Sequence, residues 1–335
     1  MQFSQKIKWL LLISLGVVLL AIAASEGNKQ SEREMAKRET PIKIEYPSVP
    51  LDIDPSAIDP DLDSANVKIP ADIPKLPVAK VPVKIPVPGA ITAEAYLVAN
   101  LDTGEIYSEH NSRKVFPIAS LSKLVTALVV LHTVPPDRKV TVTQPMLDAH
   151  GDAGHLVLGE TLTVSELMYP LLLESSNDAA EALAQSHGYA GFITKMNSFT
   201  RELGMTSTYF RDASGLSSGN TSNAHDLFIL SQYIYSTEKP LLEMTRQLTI
   251  SVASTTEHGA HTWNTINPFP LDPHFMGGKT GRTTEAKESM ISLFRYVHGN
   301  ISYPVAIIVL RSDLRAREID SSLLFEKFIQ KMGWM

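Results

Sequence analysis

The sequence predicts an α+β domain, an antiparallel sheet with a helical insertion, and two observations carry that prediction. Strand-like runs stand at both ends of the region beyond Ala90: "AEAYLVANLDTGEIYSEHN" at its start, and "FMGGKTG", "ESMISLFRYV" and "YPVAIIVLRS" near its close. Between them lie helical patterns separated by loops rich in Gly, Ser and Asn, without the strand–helix alternation that builds βαβ units.

Taken from the N-terminus, Lys6 and Lys8 precede "WLLLISLGVVLLAIAAS", the charged-then-apolar order of an export segment. Two fates stay open. Ala21-Ile22-Ala23 fits the small-x-small rule of a cleavage site, while the apolar run approaches the ~17–25 residues of a membrane-spanning helix, and the retained anchor is the favoured reading. Residues 1–25 are thus a signal peptide or N-terminal membrane anchor. The protein is expected to be extracytoplasmic, tethered to the cell membrane by this segment or secreted if it is cleaved. Residues 26–89 read as a Pro-rich extended linker: about half of the chain's 21 prolines fall between Pro41 and Pro88, in phrases such as "KIPADIPKLPVAKVPVKIPVPG". Proline removes backbone donors and turns its predecessor away from helix, so this stretch should extend at ~3.1 Å per residue and reach on the order of 100 Å.

The folded domain is expected over 90–335. Its first two strands join at Asp102-Thr103-Gly104, a hairpin turn. Helical periodicity predicts helices over Leu121–His132, Val164–Leu173, Asp178–His187, Phe192–Leu203 and Ala224–Tyr235. "LTISVAS" and the three late runs read as strands, and a closing helix spans Ile319–Lys331.

Composition excludes several functions. A formal net charge of −6 leaves no basic surface for phosphates, so no nucleic-acid partner is expected. No cysteine is present, which removes disulfides, thiolate nucleophiles and Cys-ligated zinc. Asp102-Thr103-Gly104 matches the aspartic-protease triplet but sits in a surface turn without a second equivalent aspartate. Gly215-Leu216-Ser217-Ser218-Gly219 matches a nucleophile elbow, yet loop-like sequence flanks it on both sides, which makes it a Gly/Ser surface loop. His150 and His155, five apart across glycines, match no ligand spacing and read as a flexible loop; no metal or cofactor is expected.

"PIASLSKLVTALVVLHT" is different. With a helix starting near Ser120, Ser120 and Lys123 at i and i+3 share a face on the first turn of an otherwise apolar helix. Apolar surroundings disfavour the charged amine, and a neutral lysine can take a proton from a serine hydroxyl. The helix N-terminus favours a serine that gains negative charge. Taken alone, the pair reads more readily as an N-cap by Ser120 with a snorkelling Lys123.

Two later fragments complete a set. "LLLESSNDAAEALA" places Ser175-Ser176-Asn177 in a tight turn between helices, and "MGGKTGRTTEA" places Lys279-Thr280-Gly281 at a strand end. The order S-x-x-K, S-x-N, K-T-G resembles that of penicillin-binding proteins and serine β-lactamases. With "GHLVLGETLTVSELMYPLLLESSNDAAEALA", "ELGMTSTYFRDASGL" and "TWNTIN", the chain from about Ala90 to Arg317 resembles the low-molecular-weight penicillin-binding proteins, the D-alanyl-D-alanine carboxypeptidases of the S11 peptidase type.

The resemblance implies the serine β-lactamase/DD-peptidase-like fold and an acyl-enzyme on Ser120, with Lys123 as its general base. It implies that Ser175 relays a proton to the leaving amine and that Asn177 holds the substrate amide carbonyl. Lys279, Thr280 and Gly281 would line the substrate, Ser120 and Arg282 would supply the backbone oxyanion hole, and Arg311 would bind the terminal carboxylate. The implied partners are a peptidoglycan stem peptide ending in D-Ala-D-Ala and, as acylating inhibitors, β-lactams; the membrane is met through the N-terminal segment. Two departures stand out: Ser176 replaces the glycine usual in the second motif, at the expected cleft rim, and Arg282 follows K-T-G. A DD-endopeptidase on peptidoglycan cross-links uses the same chemistry. A serine β-lactamase needs a deacylating glutamate in an E-x-x-x-N segment, which is not found, and a non-catalytic wall-binding homologue would not need the full residue set.

Overall fold

In the computed structural model, residues 90–151 and 153–334 are described; the expected N-terminal segment and linker lie outside them. The first strands, β1 (Ala95–Asn100) and β2 (Ile106–His110), form the predicted hairpin, and Asn100 Oδ1 accepts the backbone N–H groups of Asp102 and Thr103 in its turn. Short β3 (Phe116–Pro117) leads into a 3-10 turn, Ala119–Ser122, and then α1 (Lys123–Thr133). Next come β4 (Lys139–Thr141), α2 (Gln144–Leu147), β5 (Thr161–Thr163) and α3 (Val164–Leu173). Helices α4 (Asn177–Ser186) and α5 (Tyr189–Glu202) follow, then β6 (Thr221–Ser222), α6 (Ala224–Thr237) and α7 (Lys239–Arg246). The chain closes with β7 (Thr249–Val252), β8 (His261–Asn264), β9 (Phe275–Thr283), β10 (Lys287–His298), β11 (Ile301–Ser312) and α8 (Arg317–Lys331).

The five main strands form one antiparallel sheet in the order β2-β1-β11-β10-β9. Strand periodicity divides their side chains between two cores. Leu97, Ile291, Leu293, Ile308 and Leu310 face the helices of the insertion. Val98, Met290, Phe294, Ile307 and Val309 face α8 through Leu324, Phe325 and Phe328. A sheet buried on both faces explains why the late strands read as near-continuous apolar runs. Helix α1 is buried from Lys123 through Val130, as its unbroken apolar sequence requires. Every predicted helix and late strand is present. The additional short elements, such as α7 and the pairs β3–β6 and β4–β5, are too brief to carry a periodic signal.

Two features of this architecture position the site. The edge strand β9 runs beside the 3-10 turn, and the α3–α4 turn carries residues 174–176 into the same region. Helix α3 starts with a capping box, Thr163 with Glu166, and its end is fixed where Ser176 N–H donates to Pro170 O at 2.9 Å.

Candidate active site

The nucleophile candidate sits in a strained turn rather than on a regular helix. Ala119 has φ +48°, in the left-handed region, and the turn is tied by Ser122 Oγ donating to Ala119 O at 2.7 Å. Ser120 is therefore half-exposed on a 3-10 turn while Lys123, three residues on, is fully buried as the first residue of α1.

Lys123 Nζ has three polar partners: Ser120 Oγ at 2.9 Å, Asn177 Oδ1 at 2.8 Å and Ser214 O at 2.5 Å. Two of these can only accept. Asn177 Nδ2 is committed to His150 O, which aims its Oδ1 at the lysine, and Ser214 offers a backbone carbonyl. A neutral amine satisfies both with its two N–H bonds and turns its lone pair to the one partner able to donate, the Ser120 hydroxyl. Burial works in the same direction, lowering the Lys123 pKa from 10.5 to about 7 against the opposing pull of the Asp212 and Glu181 carboxylates.

The second amine is built alike. Lys279 on β9 is 1% exposed and donates to Ser175 Oγ and to Thr280 O, each at 2.8 Å. Its burial, and then the positive charges of Lys123 and Arg317, hold its pKa well below that of an ordinary lysine. Ser175 also has a left-handed backbone, φ +61°, the conformation that turns the chain between α3 and α4. Gly281 is required by close approach: a Cβ there would lie 2.9 Å from Ile118 O and 3.2 Å from Ser120 N. Thr280 is buried opposite Met290, and Arg282 is exposed opposite Glu288.

The structure thus brings Ser120, Lys123, Ser175, Asn177 and Lys279 together, with Gly281 against the turn of Ser120. Four expectations change. Ser176 does not line a cleft rim: it is fully buried and caps α4, its Oγ accepting Ala179 N–H at 3.1 Å, and it fills the space that a side chain at Gly154 would need. Arg311 lies at the end of β11, two strands from β9, where Glu94, the Glu285 carbonyl and the Phe116 ring face engage its guanidinium. Its partners belong to the protein rather than to a cleft. The arginine that reaches the K-T-G strand is Arg317, whose Nη1 donates to Gly281 O at 3.1 Å. Finally, the loop around His150 is pinned rather than loose: Gly154 N–H donates to Glu174, and Trp263 Nε1 donates to Gly154 O. No metal-capable cluster occurs there or elsewhere among the described residues.

The Gly/Ser loop, too, is more than surface. Gly215 packs so closely on the turn that a Cβ would fall 2.0 Å from Ala119 O, and the preceding Ser214 carbonyl meets Lys123. Asp212, Ser214 and Arg317 are the residues that sequence reasoning missed. An Asx-type signal, Asp212 before Ser-Gly, marks the first two; nothing local marks Arg317, which arrives on the first turn of α8.

A buried lysine holding a serine hydroxyl, a second serine–lysine pair and a backbone strand alongside are the kinds of group that serine acyl transfer uses, here on an α+β frame. Comparison with known proteins agrees. The family model for D-alanyl-D-alanine carboxypeptidase, peptidase S11, matches residues 81–310, and the chain belongs to this family. It is 36% identical over 150 residues to a D-alanyl-D-alanine endopeptidase of Haemophilus influenzae, covering 44% of this chain and 51% of that protein. Over 231 residues it is 30% identical to a D-alanyl-D-alanine carboxypeptidase of Salmonella typhimurium, covering 62% and 56%. The chain therefore spans about half the length of these curated relatives. Among solved structures it is similar to penicillin-binding protein D2 of Listeria monocytogenes in its cefotaxime-bound form, with 32% identity, a TM-score of 0.63, and coverage of 72% of this chain and 98% of that one.

Proposed function

We propose that this protein is a serine-type DD-peptidase that cleaves the D-Ala-D-Ala end of peptidoglycan stem peptides through an acyl-enzyme on Ser120. The observation that carries the reading is the hydrogen-bonded string Ser120–Lys123–Asn177, faced by Ser175–Lys279. Neutral Lys123 takes the Ser120 proton as Oγ attacks the penultimate D-Ala carbonyl, and the backbone N–H groups of Ser120 and Arg282 receive the oxyanion. Ser175, polarised by Lys279, passes a proton to the leaving amine. Asn177 holds the substrate amide, while Thr280 and Gly281 flank the substrate along β9. Arg317 supplies positive charge to the terminal carboxylate in the role the sequence suggested for Arg311.

A second reading, DD-endopeptidase action on cross-links, is favoured by the identity to the Haemophilus influenzae endopeptidase. Both readings suit an enzyme that works outside the cytoplasm, tethered to the membrane by the N-terminal segment or secreted if that segment is cleaved. Among the described residues no helix is long and apolar enough to cross a membrane. The test offers the full-length protein a stem pentapeptide ending in D-Ala-D-Ala and, separately, a cross-linked stem dimer. Release of free D-alanine from the pentapeptide supports the carboxypeptidase, cleavage of the dimer alone supports the endopeptidase, and neither product contradicts both.

A further inference from the structure

Beside the motif residues, one carboxylate is built into the site. Asp212 Oδ1 accepts the backbone N–H groups of Ser214 at 2.9 Å and Gly215 at 2.5 Å, together with Ser214 Oγ at 3.1 Å. Its Oδ2 accepts Ser217 N–H at 2.6 Å. A single side chain therefore folds the 212–217 turn around itself. That turn delivers two groups to the nucleophile: the Ser214 carbonyl that meets Lys123 Nζ, and Gly215, packed on the backbone of Ala119 and Ser120.

The turn is also fastened to α1 and the turn before it. Thr126 Oγ1 donates to Ala213 O at 2.6 Å, and Asn220 Nδ2 donates to both Asp212 O and Ser122 Oγ. The Asn220 side chain is fully buried, and its Oδ1 accepts the N–H groups of Arg211 and Asp212. These contacts fix where the Asp212 charge lies relative to Lys123.

From this geometry we infer that Asp212 is a positioning residue for Lys123, holding the Ser214 carbonyl on the amine and fixing its own carboxylate in the turn that meets it. The inference rests on the acyl-enzyme reading above. Among ionisable groups, those facing Lys123 are Asp212, Glu181 and Lys279. Glu181 is braced by Gln185 Nε2 and Tyr189 O–H, and burial raises its pKa, so its negative charge is weakened toward neutrality as pH falls. Lys279 is itself held below the ordinary lysine range, by its burial and then by the charge of Lys123. Asp212 is the carboxylate with the larger pull on the lysine, and it opposes the effect of burial. Removing its charge must therefore lower the pH at which Lys123 loses its proton.

The experiment measures benzylpenicillin acylation of the full-length protein from pH 5 to 9 in wild type, Asp212→Asn and Asp212→Glu, and follows the Lys123 13Cε resonance over the same range. In Asp212→Asn the acidic limb and the lysine midpoint should both move down by on the order of half a pH unit, less than the shift from a charge in direct contact. The plateau rate should fall on the order of tenfold as the turn loosens. Asp212→Glu keeps the charge and should keep the wild-type limb even with a slower plateau. Asp212→Ser stands in if Asp212→Asn does not hold the fold. A turn brace with no electrostatic role would slow acylation equally at all pH values, and an unmoved limb and midpoint overturn the inference, as does a limb that moves equally in Asp212→Glu. Failure of the acyl-enzyme reading shows separately, as a wild-type protein that takes no penicillin; the resonance midpoints then decide the positioning role by themselves.

Discussion

Lys123 offers the sharpest quantitative test of the site. Burial lowers its pKa from 10.5 to about 7, so at pH 7 about half of the amine is neutral, on the order of a thousandfold more than for an ordinary lysine. Below about 7 the ammonium cannot take the Ser120 proton. The acylation rate should therefore rise about tenfold per pH unit up to about 7 and level off above it. Stability follows the same proton with a definite sign. Between about 7 and 10.5 the unfolded chain binds a proton that the folded chain does not, so the Lys123 contribution makes the fold more stable as pH rises through that window. Lys123→Arg replaces the amine with a guanidinium that stays charged, and should cost about 10²–10⁴-fold in acylation at pH 8. The assay is stopped-flow or quenched acylation by a chromogenic β-lactam, with circular dichroism to verify the fold. A pH-independent rate between 5 and 9, or a Lys123→Arg protein that acylates at the wild-type rate, would refute lysine as the base.

Four further outcomes follow from packing and partners. Gly281→Ala puts a methyl 2.9 Å from Ile118 O, which must push β9 from the Ser120 turn; acylation should drop about 10²-fold if the displacement nears 1 Å. Ser176→Ala removes the α4 cap and should cost about 1 kcal/mol, a Tm decrease of about 2–4 °C by calorimetry, with acylation little changed. Arg317→Leu should lower kcat/KM for a D-Ala-D-Ala peptide by roughly 10–100-fold. Arg311→Leu, whose partners Glu94 and Glu285 are internal, should lose stability rather than peptide affinity.

The sheet and the helices were legible because their sequences are long and periodic, and both cores follow from alternation on strands such as β11. The motif residues were legible by spacing: Ser120 and Lys123 meet because three residues is one turn, whether α or 3-10. The rest depended on contacts between segments far apart in the chain. Ser214 reaches Lys123 from 91 residues away, and Arg317 reaches Gly281 across 36; neither contact leaves a local pattern. Ser176 is buried rather than at a cleft rim. Helix capping turns its side chain inward, and Gly154 leaves it the room to be buried. Arg311 fitted the expected order along the chain, but an ion pair with Glu94 holds it elsewhere.

Everything proposed for this site turns on Ser120 being the acylated nucleophile. The most direct measurement is intact-protein mass spectrometry of the full-length chain over time after addition of benzylpenicillin, with peptide mapping of the adduct. One long-lived penicilloyl adduct is expected on Ser120, absent from a folded Ser120→Ala variant. An adduct on another residue, or none, would contradict it, and rapid turnover of the drug would point to a β-lactamase instead.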